Sequence, residues 1–218
     1  MNNFRVIDKH RWPRAELFDF YRKFDDPCFN VSVTLAGGNL YTCAKDRGES
    51  FFLLALYAIL RAANAVPQIR QRVLDGAIVE FESIAVMTPV MTGREMFRQI
   101  WCEYAPSFPA FAREAGPKAK EAREGLPAPM EQHGEDFLCA SCLPWLHFTS
   151  VTQAEYRFGQ TVPILSWGKL QNGLIPVSCK FNHVFVDGLH VGRFFAGIEK
   201  SFADPDTLWE SGGLDASY

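Results

Sequence analysis

Long apolar runs are missing from this chain. The N-terminal stretch M-N-N-F-R-V-I-D-K-H has no apolar core of the kind a secretory leader needs. No later stretch approaches the roughly 20 apolar residues that cross a bilayer, so a cytoplasmic protein with no membrane partner is the expectation. Cysteine is scarce as well: six thiols, at positions 28, 43, 102, 139, 142 and 179, are too few and too scattered to staple a chain of 218 residues. Neither sign of charge dominates, since 22 Lys and Arg stand against 25 Asp and Glu, mixed along the sequence. Without a basic stripe to follow a phosphate backbone, nucleic acid is not an expected partner. Gly-x-x-x-x-Gly-Lys-Ser/Thr does not occur, nor does Gly-x-Gly-x-x-Gly after a strand pattern, which argues against P-loop NTPases and dinucleotide oxidoreductases. Repeats are absent, and low complexity is confined to the Ala/Glu/Lys-rich 112–125.

What remains is ordinary globular composition, 48% hydrophobic with 19 Phe, enough for a sizeable aromatic core. No linker divides the chain, so one domain over 1–218 is expected. Residues 11–23 read as a helix, with Pro13 near its first turn and Leu17, Phe18 and Tyr21 at helical spacing. Phe29 to Leu35 alternates like a strand and Gly37-Gly38 breaks it. Ser50 to Val66 carries the clearest helical stripe, through Phe52, Leu56, Ile59, Leu60 and Ala63, and stops before Pro67. Asp75-Gly76 signals a turn before strands around 77–81 and 84–90. Glu95 to Tyr104 reads as helical through Phe97, Ile100 and Trp101. Residues 105–135, interrupted by several Pro and Gly, read as a surface excursion around a helical Phe111–Arg123. Phe137 to Phe148 is strand-like up to Pro144. Two further strand patterns flank Gln171-Asn172-Gly173, a favoured hairpin turn, and a helix follows from Leu189. Strands and helices mix without strict alternation, so the fold class is α/β in the α+β sense: a mixed β-sheet flanked by helices.

Chemistry concentrates near the C-terminus. Along Ile175, Val177, Cys179 and Phe181 apolar residues alternate with Pro176, Ser178, Lys180 and Asn182, which reads as a strand with one buried face. The count puts His183 on the apolar face, where an imidazole is costly unless hydrogen-bonded. Histidine suits general-base work near neutral pH. Asp187 either orients it directly or is held by a cation elsewhere, and spacing alone leaves both open. His190 reads as a surface or capping residue. Ser141 lacks a Gly-x-Ser-x-Gly setting, which disfavours a hydrolase nucleophile but leaves a hydroxyl that could stabilise an oxyanion. Cys139-x-x-Cys142 sits in an apolar run without a second pair, and His133 and His147 have no ligand-like partners, so free thiols and no metal are expected.

The run Asn182-His183-Val184-Phe185-Val186-Asp187-Gly188 resembles the active-site signature of the trimeric chloramphenicol acetyltransferases, within the coenzyme-A-dependent acyltransferases sharing His-x-x-x-Asp-Gly. Collinear matches extend the resemblance along nearly the whole chain: Trp12-Pro13-Arg14 with Phe18 and Phe20-Tyr21, Pro27-Cys28-Phe29, Phe51-Phe52 through Arg70, Ser141-x-Leu143-Pro144-Trp145, and Pro163 to Lys169. It implies a two-layer sandwich and a homotrimer with active sites at subunit interfaces. It implies an acetyl-CoA-dependent O-acetyltransferase for chloramphenicol or a related small hydroxylated acceptor, working by direct transfer. Position by position, His183 is then the general base, Ser141 the oxyanion donor, and Ser166 stands where the family has a Thr that helps hold a water. Asp187 pairs with Arg14 as a support. Tyr21, Phe29 and Phe97 line the acceptor pocket, and Trp145 lies near the coenzyme channel. Asn182 departs from the first His of the usual pair, and Val186 from a Cys. Two other readings stay open: a 2-oxo-acid dehydrogenase acyltransferase core, for which the lipoyl domain is missing, and a catalytically silent or differently specific relative that binds a small aromatic ligand.

Overall fold

The computed structural model describes residues 4–93, 95–126, 134–155 and 159–211. In chain order the elements are β1 (Phe4–Val6), α1 (Ala15–Tyr21), β2 (Cys28–Ala36), α2 (Gly38–Asp46), α3 (Phe51–Ala65), β3 (Gln71–Leu74), β4 (Ala77–Phe81), β5 (Ala85–Met91), β6 (Phe97–Cys102), α4 (Phe108–Arg123), β7 (Phe137–Leu143), β8 (Ile164–Gly168), β9 (Leu174–Asn182) and α5 (Gly188–Ala203). Among the described residues, six strands form one sheet in the order β2-β9-β8-β7-β5-β6. It is mixed because β7 runs parallel to both β5 and β8, while the other neighbours are antiparallel. β1, β4 and β3 make a smaller antiparallel sheet. The expected mixed sheet with flanking helices is therefore what forms.

Helix α3 explains how the layers join. The Ser50 hydroxyl accepts the Leu53 N–H and starts the helix; Val66, held extended before Pro67, ends it. Its residues from Leu53 to Leu60 are all buried, because α2, α4, α5 and β7 surround it. A side chain at Gly197 of α5 would meet the Ala62 side chain at 3.2 Å, so small residues set how closely α3 and α5 cross. One face of the large sheet presents Val86, Leu138, Ala140, Leu165, Trp167, Val177, Cys179 and Phe181 to this buried core. On the opposite face, cross-strand register places Ser141, Ser166, Ser178 and Ser32 in one row over four strands.

Several expectations are corrected. Glu95 to Tyr104 is not a helix but contains strand β6. Helical spacing of Phe97, Ile100 and Trp101 is overridden by a hairpin with β5, closed where the Thr92 N–H reaches the Met96 carbonyl at 2.8 Å. In the extended form Ile100 and Cys102 share the core face, and Trp101 packs edge-on against Phe137 at 4.7 Å from the other. The first helix does not span 11–23: Lys9–Arg11 is a separate 3₁₀ turn and α1 begins only after Arg14. β9 is not buried on one face alone. Residues 151–155 lie over its polar side, where the Ser178 hydroxyl donates to the Val151 carbonyl at 3.1 Å and Lys180 Nζ to the Gln153 carbonyl at 3.0 Å. Helix α4 is more than surface: Phe108, Phe111, Ala115, Ala119 and Ala122 form a buried stripe against β5, β6 and α3. Pro127, Pro129 and His133 lie outside the described residues.

Candidate active site

His183 follows the last residue of β9, its N–H held by the Pro27 carbonyl at 2.8 Å. The ring does not enter the core as strand parity suggested. It leaves the sheet and lies flat against Tyr21, with centroids 4.0 Å apart and planes at 11°; Phe29 tilts against it at 4.7 Å. Nδ1 is buried without a hydrogen-bond partner, while the side chain as a whole is 31% exposed. The ring therefore meets solvent through its far edge, and Nε2 is the nitrogen open to an incoming proton donor.

Asp187 begins α5, and the Nδ1 of His190 accepts its N–H at 3.0 Å in a capping box. His190 is thus a capping residue, and burial lowers its pKa from the usual histidine range. Asp187 Oδ1 approaches His183 Nδ1 at 3.1 Å, but not in hydrogen-bond geometry. Its real partner is Arg14: Nη2 donates to Oδ1 at 2.6 Å, and Nη1 donates to Oδ2. The same guanidinium donates from Nε to the Val184 carbonyl at 2.9 Å and from Nη2 to the His183 carbonyl at 2.7 Å. Hydrogen bonding from Arg14 is the main reason the Asp187 pKa lies below the ordinary carboxylate value. One buried arginine thereby fixes the main chain at the candidate base and at the residue after it.

Ser141 and Ser166 sit elsewhere, directly opposite each other on β7 and β8. Ser166 in turn faces Ser178 on β9. At about 3.3 Å per residue along a strand and about 4.8 Å between strands, the Cα atoms of His183 and Ser141 are roughly 20 Å apart. Phe97 is 46% exposed at the start of β6, on the edge opposite β2, and Trp145 is 63% exposed just past β7. The chain therefore gathers His183, Asp187, Arg14, Tyr21 and Phe29 at one place and Ser141 with Ser166 at another. Phe97 and Trp145 lie apart from the His183 cluster.

Sequence reading passed over the face that holds Ser32 and Ser178. Asn30 Nδ2 donates to Ser178 Oγ at 2.8 Å, and Ser32 Oγ to the same oxygen at 2.9 Å. The polar half of the period-two pattern was the available signal. All six cysteines are free. Burial pushes the Cys139 thiol up to about 11 and the Cys142 thiol up to about 12, against a reactive pair. Asp26, Cys28 and Glu155 bring possible ligand atoms within 4.8 Å of one another. The set suits a cation poorly, because burial first, then Glu155 and Asp26, push the Cys28 thiol up to about 12, and Lys180 Nζ already holds Glu155 at 2.8 Å. His147 Nδ1 lies 3.0 Å from the Lys169 carbonyl.

A family model described as "Chloramphenicol acetyltransferase" matches residues 1–199. "Chloramphenicol acetyltransferase 2" of Escherichia coli is 30% identical over 209 residues, covering 90% of this chain and 96% of the relative. A solved structure titled "chloramphenicol acetyltransferase" superposes with a TM-score of 0.81 at 28% identity, covering 90% of this chain and 98% of the other. A probable dihydrolipoamide acetyltransferase from Listeria monocytogenes shares the fold, with a TM-score of 0.63 at 17% identity and 97% of each chain covered.

Proposed function

The chain belongs to the chloramphenicol acetyltransferase family, and from that premise we propose that it is an acetyl-CoA-dependent O-acetyltransferase acting, as one domain over 1–218, on chloramphenicol or a similar small hydroxylated molecule. The observation that carries this reading is the His183 ring, stacked on Tyr21 and flanked by the tilted Phe29, with Nδ1 turned inward and its outer edge open. Fixed in that orientation, Nε2 takes the proton from the acceptor hydroxyl as its oxygen attacks the thioester carbonyl. The carbon–oxygen bond forms, the carbon–sulfur bond breaks, and His183 returns the proton to the departing thiolate of coenzyme A. Charge building on the carbonyl oxygen is met by the Ser141 hydroxyl, and Ser166 helps hold a water beside it. Arg14 and Asp187 act through the main chain around His183. Tyr21, Phe29 and Phe97 line the acceptor pocket, and Trp145 borders the coenzyme channel.

The roughly 20 Å that separates His183 from Ser141 within one chain is the reason for a second part of the reading. A site containing both needs the base from one copy and the hydroxyl from another, which a homotrimer with interfacial sites provides. Among the described residues no helix is long and apolar enough to cross a membrane.

The test is acetyl transfer by the purified chain to an acceptor panel that includes chloramphenicol, with release of the coenzyme A thiol as the readout. Turnover that collapses in His183→Ala supports the reading. Turnover retained in that variant rejects His183 as the base, and acetyl-CoA binding without turnover for any acceptor identifies a silent relative.

A further inference from the structure

Asn182 ends β9 beside His183, is 5% exposed, and engages its side-chain oxygen, its side-chain nitrogen and its main-chain carbonyl. Its Oδ1 accepts the Val184 N–H at 2.9 Å. Its main-chain carbonyl accepts the N–H groups of Phe185 at 3.2 Å and Val186 at 3.0 Å. Its Nδ2 donates to the carbonyls of Gly159 and Gln160, both at 3.0 Å, and lies 3.9 Å from Cys28 Sγ. One residue therefore satisfies three consecutive N–H groups of the turn after His183 and ties that turn to a separate segment of chain.

The consequence for the imidazole is geometric. Val184 is buried, so removing Oδ1 leaves its N–H without a partner away from water, and the turn must relax to find one. Asn182 and Val184 flank His183, so any relaxation rotates the ring between them. A ring stacked at 4.0 Å and 11° on Tyr21 has little freedom to absorb that rotation. We propose that Asn182 is a positioning residue for His183: it does not touch substrate, but its side-chain oxygen sets the turn that aims Nε2. The proposal rests on the reading of His183 as the base. Misplacement of a catalytic group by about 1 Å costs on the order of 10²-fold, so the effect falls on the chemical step.

The full chain carrying Asn182→Ala, Asn182→Ser or Asn182→His is compared with the wild type in two assays. In steady-state kinetics Asn182→Ala is expected to lose about tenfold or more in kcat, with the KM for acetyl-CoA changed less than about threefold. Asn182→His puts a ring nitrogen where Oδ1 stood and is expected to recover most of that loss. In the second assay His183 is modified by diethyl pyrocarbonate and followed by mass spectrometry, with His10 and His147 as internal references. Asn182→Ala is expected to change the His183 rate about fivefold while the reference rates hold. Asn182→Ser keeps a hydroxyl acceptor but loses both amide N–H donors, and serves if the Ala variant does not fold; a smaller shift in the same directions supports the proposal. A folded Ala or Ser variant with kcat within about twofold of wild type and an unchanged His183 rate overturns it. Failure of the base reading is separate: His183→Ala would then keep activity, and the modification assay would still judge Asn182.

Discussion

The guanidinium of Arg14 meets the carboxylate of Asp187 fork to fork across 173 positions of sequence. Arg14 is 8% exposed, and two further N–H groups of its guanidinium donate to the carbonyls of His183 and Val184. The pair is thus a bracket around the candidate base rather than a source of charge for it.

Arg14→Lys keeps the charge but cannot reproduce the fork or both carbonyl contacts. It is expected to cost about 2 kcal/mol of stability, with part of the pair's worth discounted because Asp187 is partly exposed. Denaturant melts measure the loss, and acetyl transfer should fall at least about tenfold because the main chain at His183 loosens. Equal stability with reduced turnover would assign Arg14 to substrate contact instead.

Acid should weaken the fold in two stages. His190 has a folded pKa below the ordinary histidine value of 6.5, so the unfolded chain binds its proton first; this stability is full above that value and is lost as pH falls through the folded one. The folded pKa of Asp187 is lowered from 3.8, and its contribution is likewise present above that value and lost on further acidification. His190→Gln keeps a capping acceptor without the titration. Thermal melts should therefore show less decline between about pH 7 and 5 in that variant than in the wild type.

Tyr21 presents its ring face to His183. Tyr21→Phe preserves the stack and should leave the His183 orientation intact, changing kcat less than about fivefold, whereas Tyr21→Ala should cost on the order of 10²-fold. Comparable losses in the two variants would assign the effect to the phenol hydroxyl rather than the ring.

Interfacial sites predict complementation. His183→Ala and Ser141→Ala are each expected to be severely impaired alone. Co-assembled at equal amounts, they should recover about a quarter of wild-type activity, since that fraction of interfaces pairs an intact base with an intact hydroxyl. Sedimentation checks the assembly, and no recovery in mixed trimers would place both residues in one chain's site.

Local signals were legible where local physics decides. Ser50 and Pro67 bound α3, and Asn172-Gly173 adopts positive φ between β8 and β9. β6 is a strand despite its helical spacing because a hairpin partner decides its form. Helix α2 has no side-chain cap to announce it, and α1 is shorter than its helical spacing suggests and likewise begins without one.

By itself the sequence determined the alternation that makes β9, the Asp-Gly that opens α5, and a histidine placed where an apolar residue was due. Those features depend on neighbours a few positions away. Tertiary structure alone decided that Asp187 answers Arg14, that His183 leaves the strand to lie on Tyr21, and that Ser141 sits far across the sheet. Each of these is a contact, or a separation, between segments distant in sequence, fixed by strand register and packing.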